Sequence, residues 1–257
     1  MAYRVRALVE YDGTDYAGFQ RQKRQPSIQA EIEAVLRKLT GEEIAILHAG
    51  RTDAGVHAEG QVIAFDTNWR HDVADLERGM NALLPASIAV RQVELTSARF
   101  HPRYDAKSRL YRYRILNQPT RSPLQERYAY RVGRLLDVPA MEKATQTLVG
   151  GHDFATFGRP MKGETTVREV YKVHWGRDGR LIWMDIEANA FLRRMVRSIV
   201  GAALRVGLGE STVEEFMMDF AARDRSRSAP PAPPHGLCLI AVRYAEERDD
   251  GKPARQG

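Results

Sequence analysis

Residues 50–65, GRTDAGVHAEGQVIAF, constrain this chain more than any other stretch. A loop of mostly small residues runs directly into a short apolar segment, 61–65, that reads as a strand. Ala49, Gly50, Ala54, Gly55 and Ala58 let the backbone turn tightly and allow another molecule to approach it closely. Asp53 is the only acidic group inside the turn. Arg51, two positions back, can reach the same side of an extended or turning segment. A cationic neighbour favours the ionised carboxylate, the form a nucleophile or base needs. Taken alone, Thr-Asp-Ala-Gly is also an ordinary turn in which the aspartate bonds its own backbone, so the rest of the chain has to decide.

Periodicity divides that rest into helices and strands. Residues 3–11 set Val5, Ala7 and Val9 against Arg4, Arg6 and Leu8, a strand that ends in the turn Asp12-Gly13-Thr14-Asp15. Ser27 is a good N-cap for a helix with Ile28, Ile32, Val35, Leu36 and Leu39 on its apolar face and Gly41 at its close. Residues 43–47 read as a strand leading into the loop, 72–84 as a helix stopped by Pro85, and 88–95 as a strand. In 99–116 the basic residues Arg99, His101, Arg103, Lys107, Arg109, Arg112 and Arg114 interleave with Phe100, Tyr104, Tyr111 and Tyr113. The latter half alternates as a strand, with Tyr111, Tyr113 and Ile115 on one face and Arg112 and Arg114 on the other. Basic side chains beside exposed aromatics hold phosphates while stacking splayed bases. A half-buried strand with core tyrosines and a solvated arginine face has the same pattern.

Residues 117–130, with Pro119 and Pro123, read as a linker between halves 1–117 and 118–245. The second half reads as a helix at 138–148, a hairpin of 167–175 with 180–187, helices at 190–206 and 212–223, a loop at 225–234 and a strand at 235–244. Arg193, Arg194 and Arg197 crowd the start of the 190–206 helix, where cations oppose the macrodipole. An anionic ligand or a carboxylate partner would account for them, as would plain solvation. Residues 246–257 are polar and expected to be disordered. The order of elements indicates an α+β fold on one continuous sheet or two joined ones.

At 257 residues the chain can bury a sizeable core. No apolar run approaches the ~20 residues that span a bilayer. The N-terminus reads as a strand rather than a signal peptide, so a cytoplasmic location is expected. The net charge is +6, and of 39 lysines and arginines only seven are lysine. Arginine grips phosphate bidentately and stacks on bases better than lysine. A GC-rich genome or a thermophilic lifestyle would inflate arginine too, so its placement matters more than its number. One cysteine, Cys238, excludes an intramolecular disulfide and reads as a small buried hydrophobe. The seven histidines never fall three or four apart, and there is neither a P-loop nor GxGxxG, so no metal or cofactor is expected. His57 either orients the loop or carries a proton. A non-catalytic RNA-binding protein would use the basic, aromatic strand and leave Asp53 dispensable. A phosphate-handling hydrolase, using Asp53 with His57, would need a metal or a second carboxylate near Asp53, and the loop offers only Glu59.

Five separated stretches resemble one family. EYDGTDYAGFQRQ (10–22), AGRTDAGVHAEGQVIAF (49–65), FHPRYDAKSRLYRYRI (100–115), ANAFLRRMVRSIVGAA (188–203) and HGLCLIAVRY (235–244) are similar to TruA-type tRNA pseudouridine synthases, from Tyr3 to about Tyr244. GRTDAGVHA carries most of the specificity. Phe19 stands where the family usually shows Trp, and Glu59 occupies a variable position. The resemblance implies a pseudouridine synthase fold: pseudo-two-fold halves with antiparallel sheets flanked by helices, and the active-site cleft between them. It implies isomerisation of uridine to pseudouridine at anticodon-arm positions 38 to 40 of tRNA, by a homodimer without a cofactor. Asp53 matches the catalytic carboxylate, attacking C6 of the base or C1′ of the ribose. Tyr111 matches a tyrosine that stacks on the flipped uracil, with assistance to proton transfer as a further role. Arg51 is placed in the vacated space or on the adjacent phosphate, and Arg197, with Arg194 as its rival, pairs with Asp53. Arg21, Arg103, Arg109, Arg112 and Arg114 would line a basic cleft for the tRNA arm.

Overall fold

The computed structural model describes residues 2–160 and 165–245; the expected disorder of 246–257 lies outside the described residues. The first half runs β1 (Tyr3–Tyr11), α1 (Ile28–Thr40), β2 (Leu47–His48), β3 (His57–Thr67), α2 (Val73–Leu83), β4 (Ile88–Leu95) and β5 (Ala106–Asn117). The second runs β6 (Tyr130–Val132), α3 (Val138–Gln146), β7 (Gly150–Asp153), β8 (Val167–Asp178), β9 (Leu181–Ala188), α4 (Met195–Gly207), α5 (Val213–Ala221) and β10 (Leu237–Tyr244). The fold is α+β on one sheet ordered β4-β1-β3-β10-β5-β9-β8-β7, with β2 beside β3 and β6 beside β5. No helix among the described residues is long and apolar enough to cross a membrane.

Strand alternation sorts the side chains between the two faces of this sheet. Val5, Ala7 and Val9 of β1, Ile63 and Phe65 of β3, Tyr113 and Ile115 of β5, and Ile182, Met184 and Ile186 of β9 share one buried core. All five helices contribute to it, among others through Ile32, Met80, Met141, Ile199 and Phe216. Their ends carry the expected caps. Ser27 accepts from the Ala30 amide and Gly41 closes α1 at φ 74°, while Thr212 and Glu215 make a reciprocal capping box on α5. At the centre, the last strand enters between two strands of the first half. β10 runs antiparallel to β5 along its length, but meets β3 in parallel at only two positions, Cys238 with His57 and Leu239 with Ala58. Further along β3, at Ile63 and Ala64, β2 takes the neighbouring place.

Two expected elements differ. Instead of a strand over 43–47, only Leu47–His48 pairs with β3. The Ile46 amide donates to the buried Glu33 carboxylate at 3.1 Å, so a side chain of α1 takes a bond that a strand would give to its neighbour. The helix expected over 190–206 begins at Met195, because Arg194 adopts the left-handed conformation at φ 63°. The segment before it is tied elsewhere: Asn189 Oδ1 accepts from the Glu169 and Ala190 amides, and the Arg193 amide donates to Arg159 O at 3.2 Å. Of the three arginines expected in the helix, only Arg197 lies in it, in its first turn.

Candidate active site

The Asp53 loop ends where β3 begins, and it is held mainly through its backbone. The Ala49 amide donates to Val62 O, Gln61 Nε2 donates to Gly50 O at 2.8 Å, and the Phe19 amide donates to Thr52 O at 3.2 Å. Tyr11 and Thr52 join their hydroxyls at 2.8 Å. The 12–19 loop presses on this turn so closely that a Cβ on Gly18 would lie 2.6 Å from Thr52 O. Gly18 itself sits at φ 102°, a conformation glycine adopts readily. Asp53 is thus delivered by a turn with little room to move. Gln61 and Tyr11 are supports the motif did not announce. The signal for Gln61 was a polar residue on the core-facing phase of an otherwise apolar strand.

Arg197 arrives from the other half. Its Nη1 lies 3.2 Å from Asp53 Oδ2, while its Nε donates to Ala232 O at 2.7 Å. Ala232 returns a bond from its amide to Arg197 O at 2.9 Å, so the guanidinium is aimed by the proline-rich 229–234 segment. Both side chains keep some exposure, 13% for Arg197 and 27% for Asp53. Tyr111 projects from the core face of β5, 9% exposed, with Phe191 edge-on to its ring at 5.2 Å. Burial raises its hydroxyl pKa; Arg109 opposes that and the Asp53 charge adds to it. The hydroxyl makes no hydrogen bond among the described residues. The site therefore presents a carboxylate, a cation holding it, and a neutral aromatic ring with an unspent hydroxyl.

The other predicted residues fall outside this trio. Arg51 is exposed on the same loop, near enough to His48 to help burial push that imidazole down to about 4. Arg21 forms an ion pair with Glu33 of α1. Arg103 lies over the Tyr104 ring at 5.6 Å. Arg109 is half-buried and its fork is held by carbonyls, donating to Asn189 O at 2.8 Å, Ala49 O at 3.1 Å, Arg103 O at 2.6 Å and Ala106 O at 3.3 Å. It staples the Asp53 loop to the segment before α4. Arg112 and Arg114 lie on the opposite face of the sheet, against Asp185 and Glu59 at 2.7 Å each. His57 orients the loop, its Nδ1 accepting from the Gly13 amide at 3.1 Å and its Nε2 lying 3.2 Å from His235 O. Cys238 is buried, which pushes its thiol up to about 12. Among the described residues, no three His, Cys, Asp or Glu side chains gather to hold a metal ion.

The mostly antiparallel sheet thus brings together a carboxylate, an arginine from across the fold and a tyrosine ring. Comparison with known proteins gives the class of the chain. A family model described as tRNA pseudouridine synthase matches residues 7–105 and 144–245. The chain is 44% identical to the tRNA pseudouridine synthase A of Roseiflexus castenholzii, over 93% of this chain and 90% of that protein. It is 43% identical to that of Syntrophotalea carbinolica, over 95% and 97%, and 41% identical to that of Shewanella frigidimarina, over 95% and 94%. The chain belongs to the tRNA pseudouridine synthase family, isomerases that act on tRNA.

Proposed function

We propose that this enzyme converts uridine to pseudouridine at anticodon-arm positions 38 to 40 of tRNA, with Asp53 as the nucleophile. The observation that carries the reading is the Arg197–Asp53 pair, made across 144 positions of sequence beside the Tyr111 ring. The target uridine leaves its stack at a cost of a few kcal/mol. Stacking on Tyr111 returns about 1–3 kcal/mol of it. Arg51, exposed at the mouth of the loop, occupies the vacated space or meets the adjacent phosphate.

The N1–C1′ bond breaks, the uracil turns within the pocket, and C5 bonds to C1′. The C5 hydrogen leaves as a proton and N1 gains one, so no redox partner or group donor is consumed. The carboxylate attacks either C6 of the base or C1′ of the ribose, and both routes need it ionised and aimed. Arg197 aims it while itself held by Ala232. The halves 1–117 and 118–245 form the walls of the cleft. The enzyme works as a cytoplasmic homodimer, which light scattering of the purified chain would test.

Tritium release from a tRNA transcript labelled at C5 of uridine tests the chemistry. Wild type should release the label without added metal or cofactor. Asp53→Asn, folded and binding tRNA, should release none. Equal release by both proteins would remove Asp53 from the mechanism. Tight tRNA binding with no release by either would leave an RNA-binding protein.

A further inference from the structure

The arginines of this chain separate by what their forks already hold. Arg112, Arg114 and Arg243 are committed to Asp185, Glu59 and Glu187, and Arg21 to Glu33. Arg159, Arg193, Arg194 and Arg225 form a group of another kind: none makes an ion pair among the described residues. They are gathered deliberately. An isolated antiparallel bridge joins Arg159 to Arg193. Arg194 is the N-cap residue of α4 and accepts the Ser198 amide at 2.9 Å. Arg225 reaches in from the far side of the sequence, donating to Thr156 O at 3.1 Å and Ser198 Oγ at 3.4 Å. Burial, and then the charges of Arg159 and Arg194, lower the Arg225 pKa, which places the three guanidiniums in one field.

The backbone tells the same story independently. Among the described residues three non-glycines have positive φ, and two of them are Arg194 at 63° and Arg223 at 53°. They stand on two of the three segments that deliver this group. Left-handed backbone is disfavoured for residues with a Cβ, and such outliers concentrate where function requires a fixed geometry. The end of α4 also carries no side-chain cap, so its positive pole adds to the four cations instead of being quenched. Arg159, Arg193 and Arg194 are exposed. Like charges held together and left open suit a polyanion passing over the surface.

We propose that Arg159, Arg193 and Arg194, braced by Arg225, seat a phosphodiester of the RNA backbone at the N-terminal end of α4, the end that carries Arg197. This seat rests on the tRNA reading above and adds a location to it. Planar guanidinium forks match phosphate oxygens two at a time. Arg194, as the N-cap residue, stands three positions before Arg197 at the same end of α4. A phosphate held at the first would therefore fix the strand beside the carboxylate.

The test uses the full chain, an unmodified tRNA transcript, and salt from 50 to 200 mM. It compares wild type with Arg194→Ala, Arg159→Ala/Arg194→Ala and Arg243→Ala, each first shown to melt as a folded protein. A lost phosphate contact lowers the slope of log K against log salt by about 1. Arg194→Ala should lose about that much and bind about tenfold more weakly at the lowest salt; the double variant should lose more. Arg243→Ala should keep the wild-type slope. Single uncharged methylphosphonates are then walked along the anticodon arm. At one position the substitution should weaken wild type about tenfold and leave Arg194→Ala unchanged.

Unaltered slopes in the cluster variants, with tRNA still bound and isomerised, would overturn the seat and spare the enzyme reading. Lowered slopes without a coupled methylphosphonate position, together with displacement of tRNA by inorganic phosphate at constant ionic strength, would make the cluster a free-anion site and equally overturn it. Failure of wild type to bind tRNA would overturn the enzyme reading first and the seat with it.

Discussion

The two faces of strand β5 carry different residues into different surroundings. On the helix-covered face Tyr111 and Tyr113 point inward; Tyr113 is wholly buried and donates to Pro233 O, while Tyr111 stays 9% exposed, its hydroxyl without a hydrogen bond among the described residues. On the other face Arg112 and Arg114 are each bound by a carboxylate. Arg4–Asp66, Arg6–Glu94 and Arg243–Glu187 continue that pattern on β1 and on the β10–β9 side. A paired guanidinium has given up the donors that phosphate would use. The density of arginine along a strand thus says little about RNA binding; what stands opposite each arginine says more. On the other side Arg197 pairs with Asp53 across the fold, and among the described residues the cations around Arg194 have no carboxylate to quench them.

Substitutions can break or sharpen that contrast. The largest effect belongs to Asp53→Asn, which should lower single-turnover pseudouridine formation by about 10⁴-fold or more, in line with losses of catalytic nucleophiles elsewhere, with tRNA binding retained in a filter assay. Arg197→Ala comes next, at about 10²–10³-fold in kcat, because the carboxylate loses the group that aims it. Arg197→Lys should recover little, since an ammonium cannot span Asp53 and Ala232 as a fork does. Tyr111→Ala should cost about 1–3 kcal/mol of stacking, read as a 5- to 150-fold fall in kcat/KM. Tyr111→Phe separates the ring from the hydroxyl: equality with wild type would confine Tyr111 to stacking. Arg112→Ala, on the paired face, should lose less than about 1 kcal/mol of stability in denaturant titrations and keep kcat/KM within about twofold. A loss as large as that of Arg197→Ala would abolish the distinction between the faces.

The smallest effect is a pH dependence at the loop behind the site. Asp12 is partly buried, which opposes its ionisation, but bonds from Thr14, Arg127 and Tyr128 outweigh burial and hold its carboxyl well below the usual range. A carboxyl lower in the fold than in the unfolded chain contributes stability in full above about pH 4, and loses it as the pH falls through the folded value. The melting-temperature gap between wild type and Asp12→Asn should therefore be constant from pH 7 to 5 and narrow below about pH 4. A gap that widened on acidification would show that these bonds do not favour the charged form.

Some of this was written locally. A strand repeat of two residues puts Tyr111 and Arg112 on opposite faces wherever the strand goes. A run of small residues around one aspartate marks a close-approach loop, and Ser27 and Gly41 announce helix ends through bonds spanning three or four positions. Spacing along the chain suffices for such features because covalent geometry and near-neighbour bonds cause them. Which arginine would reach Asp53 lay beyond spacing. Arg51 was nearest in sequence, yet the described ion pair of the carboxylate is with Arg197, because the sheet order folds α4 and the 229–234 segment over the β3 turn. Arg109 looked like a cleft cation and became a staple for four carbonyls; Arg112 and Arg114 looked available and were neutralised by strands far away in sequence. Ion pairs and buried donors are satisfied by whichever group the tertiary fold brings within about 3 Å. That partner is chosen by sheet order and helix packing, which no local pattern encodes.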